Sequence, residues 1–369
     1  MTFRVRYPRK RIMRTLLRIL GRVFVRLLAR VEIHGLERFP REGPLIVVGN
    51  HTGAMEVVLL TIYSPRPIEY LGSVDIPHEG YIAAIVYSYG FIPIFRGKAS
   101  RASLEASLDV LRQGGVLGLF PEGGIWEPAI RRAQAGVAWL SYRGQAPMLP
   151  IGFGSTRGAL SDMLRLRRPR LTMYVGEPMP AVELLPGLPR KLAFQQASDH
   201  IVDAIWALVP EQEQPKTAPI EDETFAFRVE ALDAQGSQNT IPAELLPEHG
   251  EALSKFIHRT TLFNNLLENL QLPVLPLKEL QTHPPVTDLL AATGAILAYL
   301  ERENPYYFTY RYGPKEGHAM GEGVRELHEL LQWAHSNDLA IRATPVRRFR
   351  HAETGEIKLF TTPQETEKW

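Results

Sequence analysis

The sequence of 369 residues contains no cysteine, and this absence limits its chemistry before any motif is considered. A chain without cysteine has no disulfide framework, no cysteine nucleophile and no thiolate metal site, which is typical of a reducing compartment. The sequence also has no low-complexity tract, since its 29 glycines and 29 prolines are spread without a period. With 45% hydrophobic and 22% charged residues it has a globular composition, and its length predicts two domains.

The chain also lacks a long apolar run. No segment approaches the roughly 18–20 apolar residues that cross a bilayer, and none has the unbroken stretch of about 7–15 that a secretory signal needs. Instead, arginines recur every fourth position near the start of the chain, with leucine, valine and phenylalanine between them. These arginines are Arg14, Arg18, Arg22, Arg26 and Arg30. The spacing predicts an amphipathic helix over Arg9–Arg30 that carries a stripe of positive charge.

The basic helix is expected to contact something anionic. We expect residues 1–30 to lie on a membrane surface that contains anionic lipids, with each basic residue near that surface adding about 1 kcal/mol. The protein would then be peripheral, at the cytoplasmic face of the membrane. Two alternatives are a helix packed on its own domain with its basic face in solvent, and a helix that binds nucleic acid.

Charge divides the chain into two halves. Residues 1–210 contain 27 Lys and Arg against 16 Asp and Glu, a net charge of +11, whereas residues 211–369 contain 15 against 24, a net charge of −9. Opposite charge favours two separate modules. The polar, proline-containing stretch at residues 211–224 is expected to be the linker between a domain at 31–210 and an accessory domain at 225–369.

Short apolar runs alternate with stretches of helical character in the first module. The apolar runs are Leu45–Gly49, Ile68–Gly72, Phe91–Phe95, Val116–Phe120, Met148–Phe153 and Leu171–Val175, and the helical stretches include Ala102–Arg112, Ala129–Tyr142 and Leu192–Leu208. This alternation predicts an α/β domain with a mixed, mostly buried sheet flanked by helices. Functional residues of such a domain are expected in the loops that leave the strand ends.

The second module is predicted to be a smaller α+β domain, and no chemical motif is found in it. Its predicted helices are Ala243–Leu270, Val286–Glu301 and Gly323–Ser336, and its predicted strands are Tyr306–Tyr312, Ala340–Arg350 and Ile357–Thr361. The last two strands are expected to form a hairpin.

The first candidate for chemistry follows the run Leu45–Gly49. Asn50 is a residue type that caps helices, so we expect a helix to begin there, with His51 and Glu56 in the turn. A carboxylate next to one imidazole nitrogen fixes the tautomer and makes the other nitrogen a better base. The alternative is that His51 satisfies a backbone carbonyl and Glu56 is solvated.

Three further segments follow apolar runs. Arg96 ends one run, and an arginine there suits phosphate binding or a plain surface charge. Glu122 and Gly123 end another, where an acid accepts hydrogen bonds from hydroxyls and a glycine lets a backbone N–H approach a ligand, although a plain turn needs glycine too. Pro150 lies in an apolar run between two prolines, which suits the wall of a cleft or an edge strand.

The order of these segments resembles the four motif blocks of the glycerolipid acyltransferases. The blocks are Asn50-His51-x4-Glu56, Gly90-Phe-Ile-Pro-Ile-Phe-Arg96, Phe120-Pro-Glu-Gly-Gly124 and Ala146-Pro-Met-Leu-Pro-Ile151. The sequence is most similar to the bacterial 1-acylglycerol-3-phosphate (lysophosphatidic acid) acyltransferases, over roughly residues 30–210. Four blocks in order are far more specific than any one of them.

The resemblance implies roles for each block. His51 would be the base that deprotonates the acceptor hydroxyl as it attacks an acyl thioester, and Glu56 would orient His51. Arg96, Glu122 and Gly123 would hold the phosphate and glycerol of a lysophospholipid, and Pro150 would line the acyl side. The acyl donor would be acyl-CoA or acyl carrier protein, and the resemblance implies no metal and no other cofactor.

The sequence departs from the family pattern in two blocks. The family acid is normally Asp, so Glu56 adds one methylene, and we expect it to reach His51 by bending back. The third block usually continues Gly-Thr-Arg-Ser but here reads Gly-Gly-Ile-Trp, with Arg131 and Arg132 as substitutes for its cation. A different lipid acceptor, or a catalytically impaired protein that binds lipid, are therefore alternatives. Nucleic acid is not an expected partner, since no aromatic-interleaved basic patch or helix-turn-helix pattern occurs.

Overall fold

The computed structural model describes residues 5–74, 80–95, 100–123, 133–184, 187–214, 220–259, 263–264, 266–267 and 271–362. The chain forms two compact units, and the main division between them falls between residues 217 and 218, within the stretch expected to be a linker. Each unit has its own hydrophobic core.

Unit 1 is the predicted α/β domain. Its strands are β1 (Arg30–His34), β2 (Leu45–Gly49), β3 (Glu69–Ser73), β4 (Ile92–Ile94), β5 (Val116–Leu119), β6 (Met148–Gly154) and β7 (Arg170–Val175). Its helices are α1 (Arg11–Leu28), α2 (Met55–Tyr63), α3 (Gly80–Tyr89), α4 (Arg101–Arg112), α5 (Gly136–Gly144), α6 (Ala159–Leu164) and α7 (Arg190–Ala207). Each of the six apolar runs forms a strand, as expected for strands buried on both faces. Residues 129–132 of the predicted helix Ala129–Tyr142 lie outside the described residues, and α5 begins at Gly136.

The sheet is mixed, and one reversal in it positions the site. The strand order is β1-β7-β6-β2-β5-β3-β4, and every neighbouring pair is parallel except β6 and β7. Because β7 and β1 run against the other five strands, the residues that precede β1 and β7 lie at the same sheet edge as the residues that follow β2, β5 and β6. This edge, where β2, β5 and β6 end, is called the carboxyl edge below.

The helix predicted near the start of the chain is present as α1, but three of the five arginines in its stripe, Arg14, Arg18 and Arg22, bind its own domain, whereas Arg26 and Arg30 are exposed. Arg14 is 2% exposed, and its guanidinium bonds both carboxylate oxygens of Glu69, which Arg9 also pairs. Burial alone would raise the pKa of Glu69, and the two arginines hold that pKa below its ordinary value instead. The buried charges are therefore paired, as burial requires.

Two more arginines of the stripe point at the end of α2. The guanidinium of Arg18 donates to the backbone oxygen of Ser64, and that of Arg22 donates to the backbone oxygen of Ile62. The last carbonyls of a helix have no partner inside the helix and carry partial negative charge, so cations are favoured there. These contacts turn the arginines of α1 toward its own domain.

The opposite face of α1 is apolar and exposed. Eight large apolar side chains there are between 42% and 87% exposed: Ile12, Met13, Leu16, Ile19, Leu20, Val23, Phe24 and Leu27. The amphipathic helix predicted from the arginine spacing is therefore present, but the face that packs on the protein is the basic one. None of the helices in the described part of the chain is both long and apolar enough to span a membrane.

Unit 2 is the predicted α+β region. Its strands are β8 (Ile220–Leu232), β9 (Gln238–Asn239), β10 (Ala340–His351) and β11 (Ile357–Phe360), in the antiparallel order β11-β10-β8-β9. Its described helices are α8 (Gly250–His258), α9 (Leu275–Lys278), α10 (Val286–Arg302), α11 (Tyr307–Tyr312) and α12 (Pro314–Ser336). The hairpin of β10 and β11 is present as predicted.

The expected linker at 211–224 is shorter than predicted, because β8 begins at Ile220. Two acidic residues of this stretch form ion pairs with basic residues on the neighbouring strand. Glu223 accepts a hydrogen bond of 2.7 Å from the buried side chain of Arg347, and Asp222 lies 3.5 Å from Arg350. Cross-strand pairs of opposite charge stabilise a strand whose own composition does not predict one.

The predicted strand Tyr306–Tyr312 is wrong, since these residues form α11. Aromatic residues favour strands on average, but packing decides here. Gly317 of α12 lies directly on the backbone of Phe308 and Thr309, where a Cβ would come within 2.5 Å. The guanidinium of Arg311 lies 3.8 Å from the centre of the Tyr307 ring one turn earlier, a contact that only a helix permits.

The predicted helix Ala243–Leu270 is shorter than expected. Ala243–Leu245 form a single 3₁₀ turn and α8 spans Gly250–His258, with Pro247 between the two. Residues 260–262, 265 and 268–270 of that prediction lie outside the described residues. The other two helices exist, and the predicted Gly323–Ser336 begins earlier, with Pro314 at its first position.

One buried histidine makes unit 2 sensitive to acid. His258 is 2% exposed, and burial lowers its pKa from 6.5 to about 4. In the unfolded chain His258 binds a proton near pH 6.5, whereas in the folded chain it binds one only near pH 4. The stability of unit 2 should therefore fall by about 3 kcal/mol as pH decreases from 7 to 4.

We predict that His258→Phe removes this part of the pH dependence. The free energy of unfolding is measured in urea at several pH values between 4 and 7, with amide hydrogen exchange of peptides from β8, α8 and β10 as the probe of unfolding. The His258→Phe curve should decline less steeply than that of the wild type, whatever the difference in stability at pH 7. Equal slopes for the two proteins would contradict the prediction.

Candidate active site

The loop between β2 and α2 holds the first two candidates. His51 lies two residues beyond the end of β2, and α2 begins at Met55, so Glu56 is in its first turn. Asn50 is not the helix cap that we expected. Its side chain accepts from the backbone N–H of Phe153 at 2.7 Å and donates to the backbone oxygen of Phe153 at 2.9 Å. Asn50 thus extends the pairing of β2 and β6 by one residue and fixes the start of the loop.

The Glu56 side chain is fully buried, and it is not the solvated acid of the alternative interpretation. Oε1 accepts hydrogen bonds from the hydroxyl of Thr156 at 2.5 Å and from the hydroxyl and N–H of Thr52 at 2.7 and 3.2 Å. Oε2 accepts from the N–H of Gly53 at 3.1 Å. These four donors form the Glu56 clamp, which comprises Thr52, Gly53 and Thr156.

His51 and the clamp together keep Glu56 charged. Burial alone would raise its pKa, but His51, Thr156 and Thr52 together hold that pKa below the ordinary 4.5. Hydrogen bonds to the charged form of a carboxylate have this effect. At neutral pH Glu56 is therefore an anion that has no contact with water.

His51 lies next to this anion. Its Nδ1 is 3.5 Å from Glu56 Oε2, and its side chain is 18% exposed. Nδ1 is buried and makes no hydrogen bond within the described part of the chain. Catalytic hydrogen bonds are often long before substrate binds, so this geometry suits a base and its orienting acid. With its extra methylene, Glu56 places Oε2 at 3.5 Å from Nδ1 of His51.

The third block meets the first at the carboxyl edge. Phe120, directly after β5, stacks on the ring of His51 with 4.3 Å between ring centres. Two residues further along, Glu122 is 4% exposed and accepts a hydrogen bond of 3.0 Å from the indole of Trp206 on α7. The stacking fixes the plane of the imidazole, and the indole fixes the carboxylate of Glu122.

Gly123 closes a turn. Its φ of +76° favours glycine, and its N–H donates to the oxygen of Phe120 at 2.9 Å. This hydrogen bond agrees with the plain turn that was the alternative for this glycine.

Pro150 lies inside the sheet and away from its edge strands. It pairs with Val48 of β2, and its carbonyl accepts from the N–H of Gly176 at 2.9 Å. Gly176 lies just beyond Val175, the last residue of β7. The pairing of Pro150 with Gly176 is therefore outside the ladder of β6 and β7, which does not require the N–H that proline lacks. Arg96, Arg131 and Arg132 lie outside the described residues.

Sequence analysis missed three residues that hold the site together, namely Thr52, Thr156 and Trp206. Thr52 lies inside the first block, four residues before Glu56, and a hydroxyl at that spacing was a usable signal. Thr156 and Trp206 are far from their partners in sequence. Their contacts depend on strand order and helix packing, which no local pattern encodes.

A metal site is not found in the described part of the chain, where no three or more His, Asp or Glu side chains are grouped to hold an ion. The chemistry available from the described residues is that of a histidine beside a buried carboxylate. Such a pair can take a proton from a hydroxyl group.

Part of the chain is similar in sequence to known proteins. Residues 30–154, about a third of the chain, match the family model described as Acyltransferase. The curated 1-acyl-sn-glycerol-3-phosphate acyltransferase of Bacillus subtilis (strain 168) is 21% identical over 179 residues, which are 48% of this chain and 88% of that relative. The matched region includes His51 and Glu56, and the comparisons confirm the resemblance indicated by the four blocks.

A solved structure is also similar in part. The crystal structure of the 1-acyl-sn-glycerophosphate (LPA) acyltransferase PlsC from Thermotoga maritima matches with a TM-score of 0.40 and 19% identity. The match covers 56% of this chain and 84% of that one.

The clamp generates a prediction about stability. Thr156→Val removes a donor from a buried anion, which should lower the free energy of unfolding of unit 1 by about 1.5–3 kcal/mol at pH 7. Thr156→Ser keeps the hydroxyl and is the matched control. Because the pKa of Glu56 is lowered in the folded state, its stabilising contribution is present above pH 4.5 and is lost as pH falls further.

The difference between the Val and Ser variants should therefore narrow at acid pH. This difference is measured by urea unfolding at pH 7 and below pH 4.5, with amide hydrogen exchange of α2 peptides as the probe of unfolding. Equal stability of the two variants at pH 7 would contradict the proposed clamp.

Proposed function

We propose that this enzyme, which carries an acyltransferase domain over residues 30–154, moves a fatty acyl group from acyl-CoA or acyl carrier protein to the free hydroxyl of 1-acylglycerol-3-phosphate. The reaction would belong to phospholipid biosynthesis. The observation that carries the proposal is the pair of His51 and clamped Glu56 at the carboxyl edge. The printed activity of the Bacillus relative supports the choice of acceptor.

The proposed reaction needs only one proton carrier. With Nδ1 of His51 held toward Glu56, Nε2 takes the proton of the acceptor hydroxyl as its oxygen attacks the thioester carbonyl carbon. The tetrahedral intermediate then breaks the C–S bond, and the leaving sulfur takes the proton from Nε2 as a thiol. Glu56 stays ionised and stabilises the imidazolium between these two steps.

The remaining site residues would bind the acceptor and donor. Glu122 would contact the glycerol part, and the Trp206 indole keeps its carboxylate in place. Gly123 would shape the turn beside it, and Arg96 would bind the phosphate through paired hydrogen bonds. Pro150 would line the acyl side.

The exposed face of α1 supports a membrane location. A contiguous row of eight exposed apolar side chains is costly in water and typical of a helix that lies in a bilayer interface. The basic residues at its margins, Arg11, Arg26 and Arg30, are exposed and would attract anionic headgroups. We propose that the protein binds the cytoplasmic face of the membrane peripherally, with the apolar side chains of α1 inserted.

Acyl transfer provides the direct test of the proposed reaction. Labelled acyl-CoA and, in parallel, acyl carrier protein are offered with lysophosphatidate in mixed micelles. His51→Ala should reduce kcat by about 10²- to 10⁴-fold, the usual contribution of a general base. His200→Ala, an exposed histidine on α7 of the same unit, should leave it unchanged.

The acceptor is tested in the same assay. Monoacylglycerol, which lacks the phosphate, should be a poorer acceptor than lysophosphatidate for the wild type. Equal rates would point to a different lipid acceptor. Absence of transfer from either donor to either acceptor would contradict the proposed function.

The membrane proposal predicts which residues matter for vesicle binding. Leu20→Gln with Phe24→Gln removes two exposed apolar side chains from α1, so binding to vesicles containing phosphatidylglycerol should weaken at least about tenfold. Ile357→Gln with Leu359→Gln removes two side chains of similar exposure from β11 and should have no effect. Sedimentation with vesicles measures both, and equal binding of all three proteins would contradict the proposal.

A further inference from the structure

A second exposed apolar and basic element lies between α6 and β7. All five residues from Leu164 to Arg168, here called the Leu164–Arg168 turn, are exposed. Leu164 is 57% and Leu166 is 72% exposed, and the other three are arginines. Arg167 pairs with Asp162 at 3.1 Å, whereas Arg165 and Arg168 have no ion pair within the described residues.

The turn has a defined conformation that holds the leucines outward. Leu166 and Arg168 have φ of +58° and +49°, a left-handed conformation that side chains other than glycine rarely adopt. The N–H of Leu166 donates to the oxygen of Met163, and the N–H of Arg167 donates to the oxygen of Asp162, both at 2.9 Å. Met163 itself is fully buried. The exposure of Leu166 is therefore built into an anchored turn.

The turn adjoins the carboxyl-terminal end of α1. The N–H of Arg30, two residues after α1, donates to the oxygen of Pro169 at 2.9 Å. Met163 packs in the same hydrophobic cluster as Val25 and Ala29. Leu27, three residues before Arg30, is 66% exposed. The carboxyl-terminal end of α1 and the chain that flanks the turn are thus in contact.

The turn also lies at the carboxyl edge, where His51 is found. β7 begins just after the turn and runs antiparallel to β6, which places the start of β7 beside the end of β6. The same connection between β6 and β7 carries Thr156, which donates to Glu56. One short segment of chain therefore contains both a member of the Glu56 clamp and two exposed leucines.

We propose that the Leu164–Arg168 turn inserts into an anionic bilayer as a second docking element, so that α1 and the turn together present the carboxyl edge to the lipid. Two exposed leucines flanked by arginines fit a surface that is apolar inside and anionic outside. An acyl acceptor with a long chain would then reach His51 without leaving the bilayer. This inference rests on the proposed membrane function of the enzyme.

The absence of cysteine from the chain makes a direct test possible. Single cysteines are introduced as Leu166→Cys, Leu20→Cys and Leu359→Cys, and each is labelled with an environment-sensitive fluorophore. Leu20 reports on α1, and Leu359, which is 61% exposed on β11, is the control. Vesicles of phosphatidylcholine with phosphatidylglycerol are then added, with and without spin-labelled lipid as a quencher.

The label at 166 should shift to shorter wavelength and be quenched by the spin-labelled lipid, and the label at 359 should do neither. A response at 20 without one at 166 would overturn the inference and leave the docking of α1 intact. No response at either position would contradict both. A response at 166 to nucleic acid or to acyl carrier protein, but not to vesicles, would assign the turn to another partner and overturn the inference.

A paired substitution gives a second measurement. Leu164→Gln with Leu166→Gln should weaken vesicle binding by about tenfold while transfer to a short-chain, water-soluble lysophosphatidate stays within about twofold of the wild type. Equal loss with the soluble acceptor would show that the substitutions disturb the active site through Thr156, and would contradict a docking role.

Discussion

The site depends on keeping one carboxylate charged without water. A buried Glu56 is tolerable only if protein groups replace its hydration, and the donors come from two loops that strand order brings together. Thr52 and Gly53 follow β2, and Thr156 follows the neighbouring strand β6. The position of His51 is a consequence, because the histidine lies between the end of β2 and the helix turn that carries Glu56.

Polar and charged groups of the domain also determine which face of α1 packs inward. Arg14 binds the buried carboxylate of Glu69, which Arg9 also pairs, and Arg18 and Arg22 bind the last carbonyls of α2. Since one face of a helix cannot point both ways, satisfying these groups exposes the leucines on the other face. Helix α2 therefore connects the active site with α1. Its first turn carries Glu56, and the carbonyls at its end bind arginines of α1, the helix that is proposed to bind lipid.

Much of unit 1 could be predicted because the central strands of its sheet, β2, β5 and β6, are buried on both faces. Such strands are continuous apolar runs, and Leu45–Gly49 was predicted with the boundaries that β2 has. Strand β1 was missed because Glu32 and His34 interrupt its apolar residues. The direction in which the arginine stripe points was missed for another reason: periodicity defines two faces of a helix but not which one packs inward. The Thr156 contact needs the pairing of β2 with β6, which lies beyond local sequence.

If the Glu56 clamp orients His51 for acyl transfer, the length of the Glu56 side chain should matter, and Glu56→Asp changes that length alone. Asp is the usual acid of the glycerolipid acyltransferases that the four blocks resemble, yet the clamp here is built around a side chain one methylene longer. Glu56→Asp should lower kcat for transfer from acyl-CoA to lysophosphatidate by about 10- to 100-fold, because a displacement of about 1 Å at a catalytic group is that costly. A Glu56→Asp enzyme as active as the wild type, or more active, would contradict the account.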